Sequence, residues 1–493
     1  MKLRQAAILR ILALASAGTF FLVGCGAILG IEDRKKAPEG RCEGTIQLRI
    51  LGDQSSNISE IGIPATAGVI DYLELLNDNG GIRGCQIDYE YVDGGNDTGK
   101  SNSIYSSWKL SAEWSQVSAI FTLGNVSLKA IGPTASNDNQ VVVGIANNGD
   151  CAAPSSKTYS VTVPSLDNTF NLTSITNTLG SNGYPYVFFQ PTDSSSAARI
   201  AMNYIAEQSG KRVGFFACSN DLCSIPTKAA KVQIANEISG VAIGRDLVLS
   251  LDGNQTDYNT IIYDYLEAEV VHKDTVADYQ MVDWIWIGNT RKTAQLAINA
   301  INNAIEAIRV ETHNHDVLNF DVKIIANNWS FDERFIITAL NNSLNNRSRL
   351  HGIQSMPFYH DTSVTGMTIV EEAMAAKRQW SSFKPAGLSN SDYEVIEYVY
   401  GVTAVMAWKL AAERLIDSLG SVTPEQVKGE ALKNSFESFN EVYLEGLTAS
   451  PITYTSSDHR PQATVAIYYI GNDNKQKIDD SLPLVLKDEW LGW

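Results

Sequence analysis

Apolar and polar positions follow two alternating periodicities along this chain. Short, nearly continuous apolar runs recur, such as VSAIFTLG (Val117 to Gly124) and DWIWIG (Asp283 to Gly288), and each has the length of a strand. Longer segments with one apolar face lie between them and predict helices. Apolar strands that alternate with helices are typical of a parallel sheet covered on both faces, so the pattern predicts an α/β fold.

This alternation occurs twice. The first series begins with TIQLRILG at Thr45, and the second begins with YPYVFFQ at Tyr184. A chain of 493 residues is too long for one ordinary core, so we expect two doubly wound lobes, each with its own parallel sheet. The segment between the two series, residues 155–181, is interpreted as a loop insertion.

The N-terminus has the pattern of an export signal. Basic residues precede an apolar run from Ile11 to Gly24 that is too short for a comfortable bilayer span, which predicts a signal peptide over residues 1–24. The run ends in LVGC, which resembles the lipoprotein box of bacteria and implies lipidation of Cys25. Residues 25–41 would then be a tether, and Gly26 in place of Asp implies the outer membrane in a Gram-negative cell. An ordinary signal peptide or a short anchor helix is the alternative.

An exported chain is found where disulfides persist, which makes the cysteines informative. Five cysteines follow Cys25, so at least one is free or paired between molecules. Cys42 precedes one predicted strand and Cys85 opens the next, and parallel neighbouring strands would bring both sulfurs to one sheet edge. We therefore predict a Cys42–Cys85 disulfide. The remaining three cysteines stay unassigned, although Cys218 and Cys223 could close a small loop.

Charge and motifs exclude several classes of function. The net charge of −17 argues against nucleic acid and against direct binding to anionic lipid, which leaves a lipid anchor as the only expected membrane contact. The chain has no Gly-x-Ser-x-Gly, His-Glu-x-x-His or phosphate-loop motif. His313 and His315 form the nearest approach to a metal pair, and no cysteine or carboxylate constellation accompanies them. We expect a protein that is not an enzyme and needs no metal or cofactor.

Small and polar residues follow the predicted strands. The strand ends read LGDQSSN, DGGND, LGNVS, ANNGD, CSND, IGNT and ANNW. In open α/β sheets, ligands bind outside the carboxyl ends of the strands. These strand ends therefore predict a ligand cleft.

The order of these elements resembles that of type I periplasmic solute-binding proteins, in particular the leucine/isoleucine/valine-binding family of ABC transporters. The resemblance rests on AGVIDYLELLNDNGGIRGCQIDYEYVDGGNDTG (Ala67 to Gly99), on VFFQPTDSSSAARIAMNYIAEQSGKRVGFFACSND (Val187 to Asp221), on HGIQSMPFYH and on ATVAIYYIGN. It implies two lobes joined by a three-stranded hinge. Lobe one is expected at residues 42–182 plus 358–445, and lobe two at 183–357 plus 446–493.

The resemblance also implies where a ligand would be held. In amino-acid-binding members, a serine and backbone groups after the third and fourth strands hold the ligand carboxylate, which implies Ser127 here, unless Ser127 only caps its helix. Members hold the ligand ammonium with an acidic residue of lobe two, and this chain has Asn327-Asn328-Trp329 at that place. Asp221 either substitutes for it or is a turn residue. We therefore expect weak or no binding of leucine, isoleucine or valine.

The sequence thus predicts a solute receptor that delivers a small molecule to an ABC permease of the inner membrane. The alternatives are an interaction lipoprotein that kept the fold without the ligand, and a carrier of a hydrophobic, lipid-like ligand. The tryptophans and Tyr359 either contact a large or aromatic ligand or belong to the core. The predicted ligand-binding residues are Asn125, Ser127, Asn147, Asn148, Asp221, Asn289, Thr290, Trp329 and Tyr359.

Overall fold

The structure is a computed structural model that describes residues 41–145, 148–181, 183–254, 257–311, 321–334, 349–378, 383, 385, 387–461, 463–471, 475–487 and 490. The predicted signal peptide, Cys25, most of the predicted tether, Asn147 and the histidine pair at 313 and 315 lie outside these residues. Within the described residues, no helix combines the length and apolarity needed to cross a membrane.

The first lobe is built on a sheet of five parallel strands. Their order across the sheet is β2-β1-β3-β4-β7. Every residue of the two central strands β3 and β4 is buried, as expected for a sheet covered on both faces. The strands are β1 (Thr45–Gly52), β2 (Gln86–Asp93), β3 (Val117–Leu123), β4 (Val141–Ile145) and β7 (Val187–Phe188).

The second lobe is built on a mixed sheet of nine strands in the order β14-β13-β12-β11-β10-β8-β9-β5-β6. Its centre is parallel, whereas β13 and β14 at one edge and β6 at the other run antiparallel to their neighbours. The strands are β5 (Lys157–Leu166), β6 (Leu172–Ser181), β8 (Arg212–Ala217), β9 (Ala242–Val248), β10 (Trp284–Gly288), β11 (Lys323–Ala326), β12 (Leu350–Gln354), β13 (Ala463–Ile470) and β14 (Gln476–Leu484).

Residues 155–181 do not form the loop that the sequence predicts. They contain a long antiparallel hairpin, β5 and β6, paired over ten positions from Lys157–Ser181 to Leu166–Leu172. The hairpin joins the second sheet beside β9 at Leu166, so it belongs with that sheet although it lies within the range predicted for lobe one. Strand β7 (Val187–Phe188), which falls in the range predicted for lobe two, instead pairs with β4 in the first sheet. The other lobe boundaries remain predictions.

Ten α-helices connect the described strands. Against the first sheet, α1 packs with α8 and α9, and α2 packs with α3; in the second lobe, α4 packs with α5, and α6 with α7. They are α1 (Ser59–Asp78), α2 (Thr98–Lys109), α3 (Asn125–Asn137), α4 (Ser194–Glu207), α5 (Asp221–Glu237), α6 (Tyr258–Thr275), α7 (Arg291–Glu311), α8 (Met367–Lys377), α9 (Ile396–Leu419) and α10 (Gly429–Glu437).

Helix α1 begins five residues earlier than the proline suggests. Pro64 lies inside the helix instead of in its first turn. Since proline has no backbone N–H, the carbonyl of Glu60, four residues before it, loses its helical partner. Both terminal nitrogens of the Arg334 guanidinium donate to this carbonyl at 3.3 Å. The proline thus leaves an acceptor that a residue distant in sequence occupies.

Helices α1 and α9 approach each other through glycines. A Cβ atom on Gly401 would lie 2.0 Å from the carbonyl oxygen of Ala65, and one on Gly68 would lie 2.2 Å from that of Tyr398. Only residues without a side chain permit this backbone contact. Next to it, the Tyr398 hydroxyl donates to the buried Asp71 carboxylate at 3.0 Å.

Two disulfides are present. Cys42 and Cys85 are bonded, as predicted, and tie the chain before β1 to the start of β2. Cys218 and Cys223 close a small loop between β8 and α5. Cys151 carries a free, buried thiol.

Candidate functional site

Loops that follow the carboxyl ends of strands in both sheets meet between the lobes. The Asn148 side-chain amide, after β4, donates to the backbone oxygen of Asp221, the first residue of α5, at 3.0 Å. The Lys129 ammonium on α3 lies 2.5 Å from Asp150 and 3.0 Å from the Asp221 carboxylate. Burial raises the pKa of Asp150, and the charge of Lys129 only partly offsets this. Lys129 therefore joins a buried carboxylate of one lobe to an exposed carboxylate of the other.

A second set of contacts joins the lobes elsewhere. We call it the arginine–carboxylate cluster, made of Arg291, Arg334, Glu60, Asp332 and Glu397. Arg291 lies 2.7 Å from Glu60 and 3.2 Å from Asp332, and Arg334 lies 2.6 Å from Asp332 and 3.3 Å from Glu397. Because Glu60 and Glu397 belong to helices α1 and α9, whereas the arginines and Asp332 follow β10 and β11, the cluster spans both lobes.

Burial controls the protonation of the acids at this position. Glu397 is 1% exposed, and its burial raises its pKa to about 8 although Arg334 acts in the opposite direction. Burial also raises the pKa of Glu333 well above its ordinary value, and the negative charge of Glu397 adds to the effect. The Glu333 carboxylate accepts from the backbone N–H groups of Tyr359 at 2.5 Å and Ile396 at 2.9 Å.

The sequence prediction missed this cluster. The sequence feature that could have indicated the cluster is the run SFDERF, Ser330 to Phe335, in which two acidic residues and an arginine follow the end of a buried strand. Asn327-Asn328-Trp329 carries no acidic side chain, as the sequence analysis noted, but Asp332 and Glu333 follow a few residues later. Asp332 is already engaged by the two arginines, and Glu333 by backbone donors, so neither is an unpaired carboxylate.

Two predicted ligand residues carry polar atoms that the protein leaves unpaired. Asn125 is buried, and its side-chain oxygen accepts from the Cys151 thiol at 2.8 Å, while its side-chain nitrogen has no hydrogen-bond partner among the described residues. The side-chain oxygen of buried Asn148 is likewise unpaired within that part of the chain. The same holds for Asn327, after β11, which the prediction did not include. Buried polar groups in proteins nearly always have partners, so these three atoms require an explanation.

Ser127 is neither at the start of its helix nor its cap. Helix α3 begins at Asn125, its N-cap is Gly124, and no side chain caps it. The buried Ser127 hydroxyl instead accepts from the Ser101 hydroxyl at 3.0 Å. This bond ties α3 to α2, and any contact of Ser127 with a ligand remains a prediction.

The lobe-two residues of the prediction are largely used within the protein. The Asn289 amide donates to the carbonyl of Ser250 at 3.4 Å, and the Thr290 hydroxyl donates to that of Leu251 at 2.8 Å. The Trp329 indole donates to the Ser194 hydroxyl at 3.2 Å. These side chains hold the loops after β9, β10 and β11 in place.

Two predicted aromatic residues lie near other rings. The ring of Trp329 lies 5.3 Å from that of Tyr400 on α9, at a tilt of 40°. Tyr359 is buried, and its ring lies 4.3 Å from that of His360 and 6.3 Å from that of Tyr398. Both are therefore packed against neighbours, and their role toward a ligand is untested. Among the residues that the structure places, no group of three His, Cys, Asp or Glu side chains is arranged to hold a metal ion.

Comparison with known proteins gives the fold independently. A family model described as periplasmic binding protein matches residues 45–258, less than half of the chain. No curated protein sequence matches. Among solved structures, a substrate-binding protein of an ABC transporter from Aeropyrum pernix has a TM-score of 0.67 at 18% identity, over 91% of this chain and 98% of that one.

Two further solved structures are similar over most of both chains. A branched-chain amino acid ABC transporter protein from Thermus thermophilus, with bound valine, has a TM-score of 0.66 at 13% identity over 90% of this chain and 97% of that one. A fatty acid ABC transporter substrate-binding protein from Thermomonospora curvata has a TM-score of 0.62 at 14% identity, over 90% and 94%. The chain therefore has the two-lobed fold of type I periplasmic binding proteins, and its residues 45–258 match the family model for periplasmic binding proteins.

Proposed function

We propose that this protein is an extracytoplasmic solute-binding protein that captures a small molecule between its lobes for an ABC permease. The observation that carries the proposal is the group of unpaired buried atoms on Asn125, Asn148 and Asn327. Each of these residues follows the carboxyl end of a parallel strand, where open α/β folds bind ligands. An unpaired buried polar group costs about 1–3 kcal/mol, which a bound polar ligand would relieve.

The proposed ligand is not leucine, isoleucine or valine. An α-amino acid offers an ammonium group that needs a carboxylate, and Asp332 is already paired with Arg291 and Arg334. The unpaired atoms include one amide nitrogen and two amide oxygens, which suit a ligand with neutral donors and acceptors. The rings of Trp329 and Tyr400 would suit a large or aromatic ligand. The valine-bound Thermus protein, at 13% identity, shares the fold and not necessarily the specificity.

Two sets of interlobe contacts support capture by lobe closure. Lys129 with Asp221 and the arginine–carboxylate cluster both join the lobes directly. Two lobes that rotate about a hinge would form or break such contacts as the ligand enters or leaves. A closed state held by ion pairs would also bind a ligand more weakly at high salt, since partly exposed charges are screened.

The proposal includes export and anchoring at Cys25. The leader before it, with basic residues followed by an apolar run, supports this, and the anchor would be the only membrane contact. Cys25→Ala should release the protein from the membrane fraction or leave it unprocessed. Unchanged fractionation of the Cys25→Ala variant would refute the anchor while leaving the receptor proposal intact.

Ligand binding is tested on protein purified under native conditions. Small molecules released by denaturation are identified by mass spectrometry, and their affinity is then measured by calorimetry beside leucine, isoleucine and valine. Asn125→Ala and Asn148→Ala should each weaken binding by about 0.5–1.5 kcal/mol, the value of one neutral hydrogen bond. Asn102→Ala, at an exposed position of α2, is the matched control and should have no effect.

The outcomes separate the proposal from its alternatives. Tight binding of leucine would overturn the specificity and keep the receptor. Release of lipids alone would favour a carrier of hydrophobic ligands. The absence of any ligand would favour an interaction lipoprotein, a candidate supported by the internal hydrogen bonds of Asn289, Thr290 and Trp329.

A further inference from the structure

A cavity of about 230 Å³ lies within the second lobe, separate from the proposed cleft between the lobes. Its walls come from the β5–β6 hairpin, from β8 and the loop after it, from β9 and from one face of α5. None of its lining residues belongs to the first sheet or to the helices packed on it. The hairpin that the sequence analysis interpreted as a loop thus creates a separate cavity that opens to the surface.

The cavity forms because the hairpin and the sheet diverge. β5 pairs with β9 at a single position, Leu166 with Arg245, and the two strands separate beyond it. Val163 and Ile175, which are paired across the hairpin, form one wall, and Phe215 and Ala217, on the same face of β8, form another. Farther along the hairpin, Leu179 packs near Trp490, so the hairpin is held at both ends of the gap.

The mouth of this cavity exposes apolar side chains. Ile175 is 61% exposed and Val248 is 63% exposed, and both line the same opening. Isolated exposed aliphatic residues are normal, but these two meet at a concave site with buried apolar walls. An occupant with an apolar body would cover them.

The polar side of the cavity carries positive charge. Ser224, Thr227, Lys228 and Lys231 recur at helical spacing, so they share one face of α5. The Lys231 ammonium is satisfied, 2.6 Å from Asp246 and 3.4 Å from the Ser165 hydroxyl. Lys228, one turn earlier and partly exposed, has no ion pair with any residue that the structure describes. The lining therefore has one positive charge in excess, in a chain whose net charge is −17.

We propose that this cavity is a second binding site, which takes a compact amphipathic anion with its apolar chain against Phe215 and Ile175 and its anionic group on Lys228. The apolar walls select the alkyl chain of the ligand, and the unpaired Lys228 independently selects its charge. The volume lies somewhat below the ~300–1,000 Å³ of sites for drug-sized ligands, so the occupant is short.

Octanoate is the probe, with octanol and octylamine as partners of equal chain length and different charge. Calorimetry on the native protein should show that octanoate binds roughly ten times more tightly than octanol, because a hydrogen bond to a charged group is worth more than a neutral one, and that octylamine is the weakest. Lys228→Gln should remove the advantage of octanoate over octanol. Lys273→Gln, a lysine of similar exposure on α6, is the matched control and should leave it unchanged.

A second variant tests the apolar half. Ile175→Asn changes a largely exposed side chain at the mouth of the cavity, and it should weaken the binding of octanoate and octanol alike. Thermal unfolding of each variant verifies that it is folded. Equal binding of octanoate and octanol by the native protein, no binding of either, or equal effects of Lys228→Gln and Lys273→Gln would each overturn the proposal.

One more measurement tests whether octanoate binds in the cleft between the lobes instead of in this cavity. Trp329→Ala lies outside the cavity and should leave octanoate binding intact. Loss of octanoate binding in Trp329→Ala with normal binding in Lys228→Gln would move the ligand to the cleft and refute a second site. Conversely, if a ligand released from the native protein still binds to the Lys228→Gln variant, that ligand belongs to the cleft, and the proposed receptor function stands.

Discussion

Replacing Arg334 by methionine is the sharpest test of the contacts between the lobes. The guanidinium donates to Asp332 at 2.6 and 2.9 Å and to the carbonyl of Glu60 at 3.3 Å, and it lies 3.3 Å from Glu397. Methionine keeps an apolar stem and removes the charge and all of these donors. The substitution therefore isolates the polar contribution of the side chain.

The expected loss follows from the burial of the partners. The side chain of Asp332, which lies nearest to the guanidinium, is fully buried, so water does not screen this ion pair. Breaking a buried ion pair by removing one partner costs about 3–5 kcal/mol. Asp332 keeps Arg291 at 3.2 Å, which favours the lower end. We expect Arg334→Met to lower the free energy of unfolding by about 3 kcal/mol.

Urea unfolding followed by tryptophan fluorescence and circular dichroism measures this loss. Arg309→Met is the matched control, because its guanidinium pairs within α7 at 3.2 Å with Glu306, whose side chain is 65% exposed. Such a pair is worth at most about 1 kcal/mol. A double-mutant cycle with Asp332→Asn should give a coupling above about 0.5 kcal/mol. Equal losses in the two arginine variants, together with additivity in the cycle, would show that the cluster is not a buried unit.

Three further predictions concern stability. The free energy of unfolding should fall as the pH rises from about 4.5 towards 8, because Glu397, with its pKa raised to about 8, stays protonated in the folded protein after it ionises in the unfolded chain. Glu397→Gln should make the free energy of unfolding depend less on pH, and an unchanged dependence would exclude Glu397 as the cause. Replacing both Cys42 and Cys85, which are 43 residues apart, by serine should lower the free energy of unfolding in urea by about 4 kcal/mol, whereas loss of the shorter Cys218–Cys223 disulfide should lower it by about 2 kcal/mol. The reverse order would contradict the explanation by loop entropy. Gly401→Ala should lower the unfolding temperature, because the added Cβ would overlap the backbone of α1 and overpacking costs about 1–3 kcal/mol. Gly99→Ala in α2 should not lower it, because the nearest atom to its added Cβ would be 3.4 Å away.

The fold could be predicted because most of its strands are buried on both faces. Strands such as β3, β4 and β10 are buried throughout and mostly apolar, and this pattern appears in the sequence without knowledge of their neighbours. The β5–β6 hairpin was missed for the opposite reason. β6 is exposed over most of the residues whose burial the structure describes, with only Asn177 and Leu179 half-buried, so LTSITNTLGS shows no clear apolar periodicity and resembles a polar loop. Only its pairing with β5 makes it a strand.

The position of the candidate site was predictable, but its contacts were not. Parallel topology alone places Asn125 and Asn148 after strand ends. In contrast, Arg334 contacts the carbonyl of Glu60 across 274 residues of sequence, and that acceptor exists because Pro64 lies within a helix. Periodicity predicts local structure and gives no information about which distant side chains meet.

The close pairing of α1 with α9 determines the order in which the molecule can be assembled. Tyr398 and Asp71, which bond across this helix pair, are 327 residues apart. Strands β8 to β12 all lie between them in sequence, so the centre of the second sheet can pair before α9 has been synthesised. Contacts of such high sequence separation form slowly. The lobe that begins the sequence is therefore completed only after the centre of the second sheet has been synthesised. A chain arrested before Ile396 would expose the apolar surface of α1 to chaperones and proteases.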